Sequence, residues 1–283
     1  MTCRELYLLA RRRLGGAGVD SPGADAAALA QRFLGLDRAG LALHGEEAPP
    51  PQREAAFLQA VEERAARRPL QYILGEWEFM GLPLAVGEGV LCPREDTAVL
   101  VEELARRLGE RPRPRGLDLC AGTGAVALGL RTLLPQAEVL CLELSDRAFP
   151  YLEENLRRHG KGLAAARKGD VLSPALAGEF APGSLDFIAS NPPYIETGEL
   201  PGLQPEVRRE PALALDGGAD GLVFYRAIAR LWAPLVKPGG LVAVEIGENQ
   251  GPAVERLFQQ AGLTAVETAQ DWAGLDRVVS GLR

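Results

Sequence analysis

The chain has 283 residues, 47% hydrophobic and 24% charged, enough for a sizeable core in one large or two ordinary domains, which excludes a disordered chain. Lys and Arg total 31 against 38 Asp and Glu, a formal charge of -7, which weighs against tight nucleic-acid binding because that ordinarily needs a basic face. Cys3, Cys92, Cys120 and Cys141 form no CxxC pair, which weighs against a disulfide framework or a cysteine metal site, and with His44 and His159 the only histidines a histidine-rich metal site is excluded.

Residues 1–68 read as a small helical bundle. Leu6, Leu9 and Leu14 share one stripe, and Ser21-Pro22 offers an N-cap with proline in the first turn of an Ala-rich helix running through Phe33 and Leu34. Pro49-Pro50-Pro51 breaks the chain, and Phe57, Leu58 and Val61 then mark one face of a further helix. Residues 69–97 mix Ile73, Trp77, Phe79, Leu82, Leu84 and Val86 with four glycines, which predicts short strands and turns, a β-hairpin linker. The remaining domain is 98–283, with the Arg-Pro-Arg-Pro-Arg segment at 111–115 as a loop before its first strand. Strands are expected at 116–120, 138–143, 164–168, 185–190, 241–246, 264–269 and 276–281, with helices starting near 124, 146, 220 and 251. This alternation predicts an α/β fold with a mainly parallel sheet, helices on both faces and a closing antiparallel hairpin. The ligand edge is then the one at which the parallel strands end. No signal-peptide run or bilayer-spanning stretch occurs, and the expectation is a soluble, cytoplasmic monomer.

Four features fall on that ligand edge. The first strand runs into Asp118-Leu119-Cys120-Ala121-Gly122-Thr123-Gly124 and then a helix; the glycines clear Cβ atoms from the turn, and the helix start offers free amides. Glu143 closes the second strand, where a carboxylate can accept from both hydroxyls of a ribose. Asp170 and Val171 follow the third strand, placed to meet an adenine amine and its ring. Asp118 reads as a loop organiser or an acceptor for a ligand ammonium. An adenosine ligand fits, which leaves both NAD and S-adenosylmethionine; three carboxylates without a phosphate-binding cation favour the latter, which is cationic and phosphate-free.

The fourth strand leads directly into Asn191-Pro192-Pro193-Tyr194. Two prolines stiffen the loop, so the Asn191 side-chain oxygen and the Pro192 carbonyl can accept the two hydrogens of a planar NH2 group. Tyr194 can pack on the flat face of that group. An amide or an adenine amine presents the same pair of hydrogens, so a protein glutamine and a flipped-out adenine both remain open.

In this order the motifs resemble the HemK/PrmC family of peptide chain release factor glutamine methyltransferases. The resemblance extends through Pro69 to Gly75, Pro93-Arg94-Glu95-Asp96-Thr97, Glu210-Pro211, Leu215 to Gly218, Pro238-Gly239-Gly240, Glu245-Ile246-Gly247 and Asp276 to Val279. It implies a seven-stranded, Rossmann-like class I methyltransferase domain behind an N-terminal helical domain that helps bind the release factor. It implies methyl transfer from S-adenosylmethionine to the glutamine of a Gly-Gly-Gln motif. By the same resemblance Cys120, Ala121, Gly122, Thr123, Gly124, Glu143, Asp170, Val171 and Asn191 contact the cofactor, and Asn191 to Tyr194 hold the glutamine. The sister group that methylates a ribosomal-protein glutamine shares these motifs. Cys120 stands where the family often has glycine, Glu143 where it has aspartate and Ala98 where it has glutamate. Arg94 and Thr97 are read as fixing the junction between domains.

Overall fold

A computed structural model describes residues 1–109 and 111–283, and the chain divides into two units. The first is Met1–Glu76 with Gln204–Arg209, and the second is Trp77–Leu203 with Glu210–Arg283. In the first unit Thr2 and Glu5 form a reciprocal capping box that starts α1 (Cys3–Gly16), satisfying backbone donors that a helix start leaves free. Helix α2 (Pro22–Leu29) continues into a π-helical turn (Ala30–Leu34), followed by α3 (Arg38–His44), α4 (Pro51–Ala65) and α5 (Leu70–Leu74). Leu6, Leu14, Phe57 and Val61 are buried as their spacing predicts. Two expectations fail here. Ser21 precedes α2 but its side chain caps nothing, and Ile73 lies in α5 rather than in a strand.

The inserted segment joins the helical unit through charge. Arg64 is buried and donates to Asp25 at 2.6 Å and to Glu206 at 2.7 Å. Arg67 binds the other Glu206 oxygen at 2.7 Å. Buried ions of this kind are tolerated because each carboxylate has a fixed cationic partner.

The second unit opens inside a hairpin, from the second residue of β1 (Glu76–Phe79) through β2 (Leu82–Ala85), then α6 (Thr97–Leu108). Helix α6 is absent from the expected elements, although Leu100, Val101, Leu104 and Leu108, all buried, carry the helical spacing. Next come β3 (Arg115–Leu119), α7 (Ala125–Leu133), β4 (Glu138–Glu143), α8 (Phe149–His159), β5 (Ala164–Lys168), α9 (Pro174–Ala177) and β6 (Leu185–Ser190). The chain finishes with α10 (Val223–Ala227), β7 (Val236–Glu245), α11 (Gly251–Gln260), β8 (Thr264–Gln270) and β9 (Asp276–Leu282). Strand β7 starts five residues earlier than the sequence suggested, because a register shift against β6 takes up the Pro-Gly-Gly stretch.

The large sheet has the order β5-β4-β3-β6-β7-β9-β8. It is parallel except for β9, which runs antiparallel to both neighbours. The chain builds outward from β3 through β4 and β5, then returns to add β6 on the other side. The ends of β3 and β6 therefore frame the switch point where such sheets bind ligands. Alternate residues feed two cores. Phe187 and Ala189 of β6 join one with Leu241 and Ala243 of β7, while Ile188, Val242 and Val244 join the other.

Gly116 sets the closeness of β3 and β6. A Cβ there would lie 2.4 Å from the Phe187 carbonyl oxygen and 2.6 Å from its ring. Gly116→Ala is expected to lose about 1–3 kcal/mol of stability, read by urea unfolding; an unchanged midpoint would contradict this packing.

Candidate active site

Beyond Leu119 the chain must reverse from strand to helix within a few residues. It does so through left-handed backbone at Cys120 (φ 60°), Gly122 (φ 55°) and Gly124 (φ 80°). At Gly124 a Cβ would also meet Leu152 at 2.9 Å, whereas at Gly122 the nearest atom is Val90 at 3.9 Å. Gly124 is required by its left-handed backbone rather than by packing, because the Leu152 methyl group can shift, and Gly122 leaves open space beside Val90. Cys120 holds the same backbone region with a side chain, at a cost of about 1–2 kcal/mol. This gives a physical reason for glycine at that position in the family the sequence resembles.

Glu143 stands one residue past the Leu119–Leu142 register pair of β3 and β4. The amide of Gly122 donates to one of its oxygens at 2.8 Å, and the amide of Ser145 donates to the other at 2.7 Å. The carboxylate is thereby locked in place, and each oxygen keeps capacity for a further donor. Asp170 takes the Leu172 amide at 2.8 Å, and the carbonyl of Val171 accepts from the Trp232 indole at 2.8 Å.

Cys120, Ala121, Gly122, Thr123, Glu143, Asp170, Val171, Asn191 and Pro193 line one pocket. Asp118, Gly124, Pro192 and Tyr194 are not on its wall. Asp118 lies beneath the turn, 1% exposed, where one oxygen accepts from the Ala127 amide at 3.1 Å and the other has no partner. Burial, opposed by that amide and reinforced by the charge of Glu143, pushes its pKa up to about 7.

The loop after β6 is clamped at both ends. The Ser190 hydroxyl donates to the Leu119 carbonyl at 2.7 Å, tying the ends of β6 and β3 together. The Asn191 amide nitrogen donates to the Thr97 hydroxyl at 3.1 Å. The Tyr194 carbonyl accepts from Gln250 at 2.9 Å, and its hydroxyl points at buried Glu245 at 3.5 Å. Gln250 is oriented in turn by the Gly247 amide at 2.9 Å and the Tyr225 hydroxyl at 3.2 Å.

Thr97, Glu245, Gln250 and Glu210 were given no site role by the sequence reading. Glu245 carried a usable signal, since it ends a parallel strand on the ligand edge. The domain-junction reading of Arg94 and Thr97 needs correction. Both line the pocket of the second unit. Arg94 is ion-paired to buried Glu210, which also takes the Cys92 amide at 2.9 Å.

A family model described as the PrmC N-terminal domain matches residues 5–75, and one described as a methyltransferase small domain matches residues 93–203. The release factor glutamine methyltransferase of Moorella thermoacetica is 43% identical, covering 98% of this chain and 97% of its own length. That of Geobacter sulfurreducens is 41% identical, covering 99% and 96%. The chain belongs to the release factor glutamine methyltransferase family. Among solved structures, a methyltransferase from Pyrococcus furiosus shares the fold, with a TM-score of 0.51 and 16% identity over 81% of this chain and 97% of that one.

The methyl donor of a release factor glutamine methyltransferase is S-adenosylmethionine, and the pocket suits it. Gly122 gives space, Glu143 presents spare acceptors, and Asp170 and Val171 line the same wall. Among the described residues the wall has one cationic side chain, Arg94, already paired with Glu210. A phosphate would find no free charge there.

Asp118 also makes a pH test. Its pKa is raised on folding, so its contribution to stability is full below about pH 4 and is lost as pH rises through about 7. Asp118→Asn is expected to flatten part of the fall in stability between pH 4 and 7, read by denaturant unfolding of the unliganded protein. An unaltered slope would show that Asp118 is already ionised in the native state.

Proposed function

We propose that Asn191, Pro192, Pro193 and Tyr194 hold the side-chain amide of the glutamine in a Gly-Gly-Gln motif of a peptide chain release factor. Cys120 through Gly124, Glu143, Asp170 and Val171 form the seat for S-adenosylmethionine, with Asp118 supporting the turn from below. Recognition of the protein substrate belongs to the helical unit, the part of the chain that matches the PrmC N-terminal model. One observation carries the reading. The Asn191 amide nitrogen is committed to Thr97, which leaves its oxygen as the end available on the pocket wall.

Bound S-adenosylmethionine supplies an electrophilic methyl group on a sulfonium. The chain's own task is to make a poor nucleophile react. An amide nitrogen shares its lone pair with the carbonyl, so it attacks weakly. The Asn191 oxygen accepts one N–H at the pocket wall, and the Pro192 carbonyl, which lies just behind that wall and takes no donor among the described residues, would accept the other once the substrate is seated. These acceptors raise electron density on nitrogen, aim the lone pair and stabilise positive charge as it develops. Once the nitrogen carries the methyl group, one of its N–H protons would be acidic enough to leave to water. The proton departs after transfer, so no general base is needed beforehand. Tyr194, fixed through its carbonyl by Gln250, restricts the plane of the amide.

The test is transfer of a labelled methyl to a release factor, with the site located by peptide mass. The label should appear on the glutamine of Gly-Gly-Gln. Asn191→Ala should lower kcat at least about 100-fold while cofactor affinity changes by only a few-fold. Labelling of a ribosomal-protein glutamine or of an adenine in place of the release factor would overturn the substrate assignment.

A further inference from the structure

Glu245 is a buried acid that methyl transfer does not use directly. It ends β7 and is 2% exposed, and one of its oxygens is buried without a hydrogen-bond partner. The Tyr194 hydroxyl lies 3.5 Å from its other oxygen, and Thr97, Asp96 and Arg277 are near enough to act on its charge. Thr97 also contacts the catalytic loop, because its oxygen accepts from the Asn191 amide nitrogen at 3.1 Å.

A side-chain amide has one accepting end and one donating end of nearly equal size. Packing alone therefore discriminates weakly between its two orientations. A threonine hydroxyl can donate one hydrogen bond and accept others. An ionised carboxylate can only accept. With Glu245 ionised, the Thr97 proton is drawn toward the carboxylate and a lone pair is turned toward Asn191. Only the NH2 end of Asn191 can satisfy that lone pair, and the oxygen is left for the substrate.

We propose that Glu245, acting through Thr97, is a positioning residue that fixes the orientation of the Asn191 amide and so keeps an acceptor aimed at the substrate nitrogen. This rests on the reading that Asn191 holds the glutamine amide. Protonated Glu245 reverses the chain of donors. It can donate to Thr97, which then donates to the Asn191 oxygen. The NH2 end of Asn191 would face the substrate NH2 group, donor against donor.

The arrangement makes activity depend on pH. Burial, with Asp96 adding to it, lifts the Glu245 pKa to about 7, opposed by the Thr97 and Tyr194 hydroxyls and by Arg277. The active orientation is present above that value and lost as pH falls through it.

The experiment compares wild type, Thr97→Val, Thr97→Ser, Glu245→Gln and Asn191→Ala. Readouts are kcat and KM for a release factor, cofactor Kd by calorimetry, and the pH profile of kcat. Thr97→Val keeps the shape but removes the hydroxyl. It should lower kcat about 10–100-fold with cofactor Kd within about three-fold, and Thr97→Ser should restore most of kcat. Wild type should show an acid limb below about pH 7 that Glu245→Gln lacks. The proposal is overturned if Thr97→Val retains wild-type kcat, if its cofactor Kd weakens in step with kcat, or if Glu245→Gln keeps the acid limb. The wild-type and Glu245→Gln profiles decide the matter even if Thr97→Val fails to fold. Full activity of Asn191→Ala would instead sink the underlying reading of the loop.

Discussion

The hydrogen bond from the Asn191 amide nitrogen to the Thr97 hydroxyl decides which end of Asn191 the loop after β6 can offer a ligand. Asn191 is chemically two-faced, and an NH2 substrate can be gripped only by the face that accepts. Committing the donor elsewhere in the same unit leaves the acceptor for the pocket. The two prolines that follow restrict the backbone, while Ser190 and Gln250 hold the loop at either end. The loop is thus preorganised before any ligand arrives, which is the condition under which fixed dipoles act most strongly on a developing charge.

That arrangement depends on the switch point of the sheet. The ends of β3 and β6 are adjacent because the chain builds in both directions from this pair. Gly116 lets the two strands approach, and the Ser190 hydroxyl joins their ends. The glycine turn and the Asn191 loop consequently open on one pocket. Two buried acids lie close behind it, Asp118 under the turn and Glu245 under the loop, each with an unpartnered oxygen and each with a pKa pushed up to about 7. Both are costly to keep buried, and both sit against segments that line the pocket.

Much of this was legible in the sequence because the relevant signals are local. Strand–turn–helix alternation located the sheet, and the edge rule brought Gly122, Glu143, Asp170 and Asn191 together. The four-residue loop shows in its two prolines that it keeps carbonyl acceptors and gives up backbone donors. What escaped depends on contacts between distant positions. Thr97 and Asn191 are 94 residues apart, so nothing in the spacing couples them. Asp118, Gly124, Pro192 and Tyr194 belong to the same motifs yet lie off the pocket wall, a distinction that spacing along the chain does not carry. Helix α6 stands ahead of the first sheet strand and so outside the strand–helix alternation, although its apolar spacing is regular. The left-handed backbone at Cys120 is likewise invisible from a residue type that rarely adopts it.

The orientation of one amide can be observed directly. Neutron diffraction from a crystal of the enzyme with a release-factor peptide and a non-reactive cofactor analogue distinguishes the nitrogen of Asn191, with its two deuterons, from its oxygen. The account predicts both deuterons away from the substrate, one of them on the Thr97 oxygen, with the Asn191 oxygen within about 2.7–3.2 Å of the glutamine nitrogen. Deuterons of Asn191 facing the glutamine nitrogen, or a side chain turned out of the pocket altogether, would contradict it.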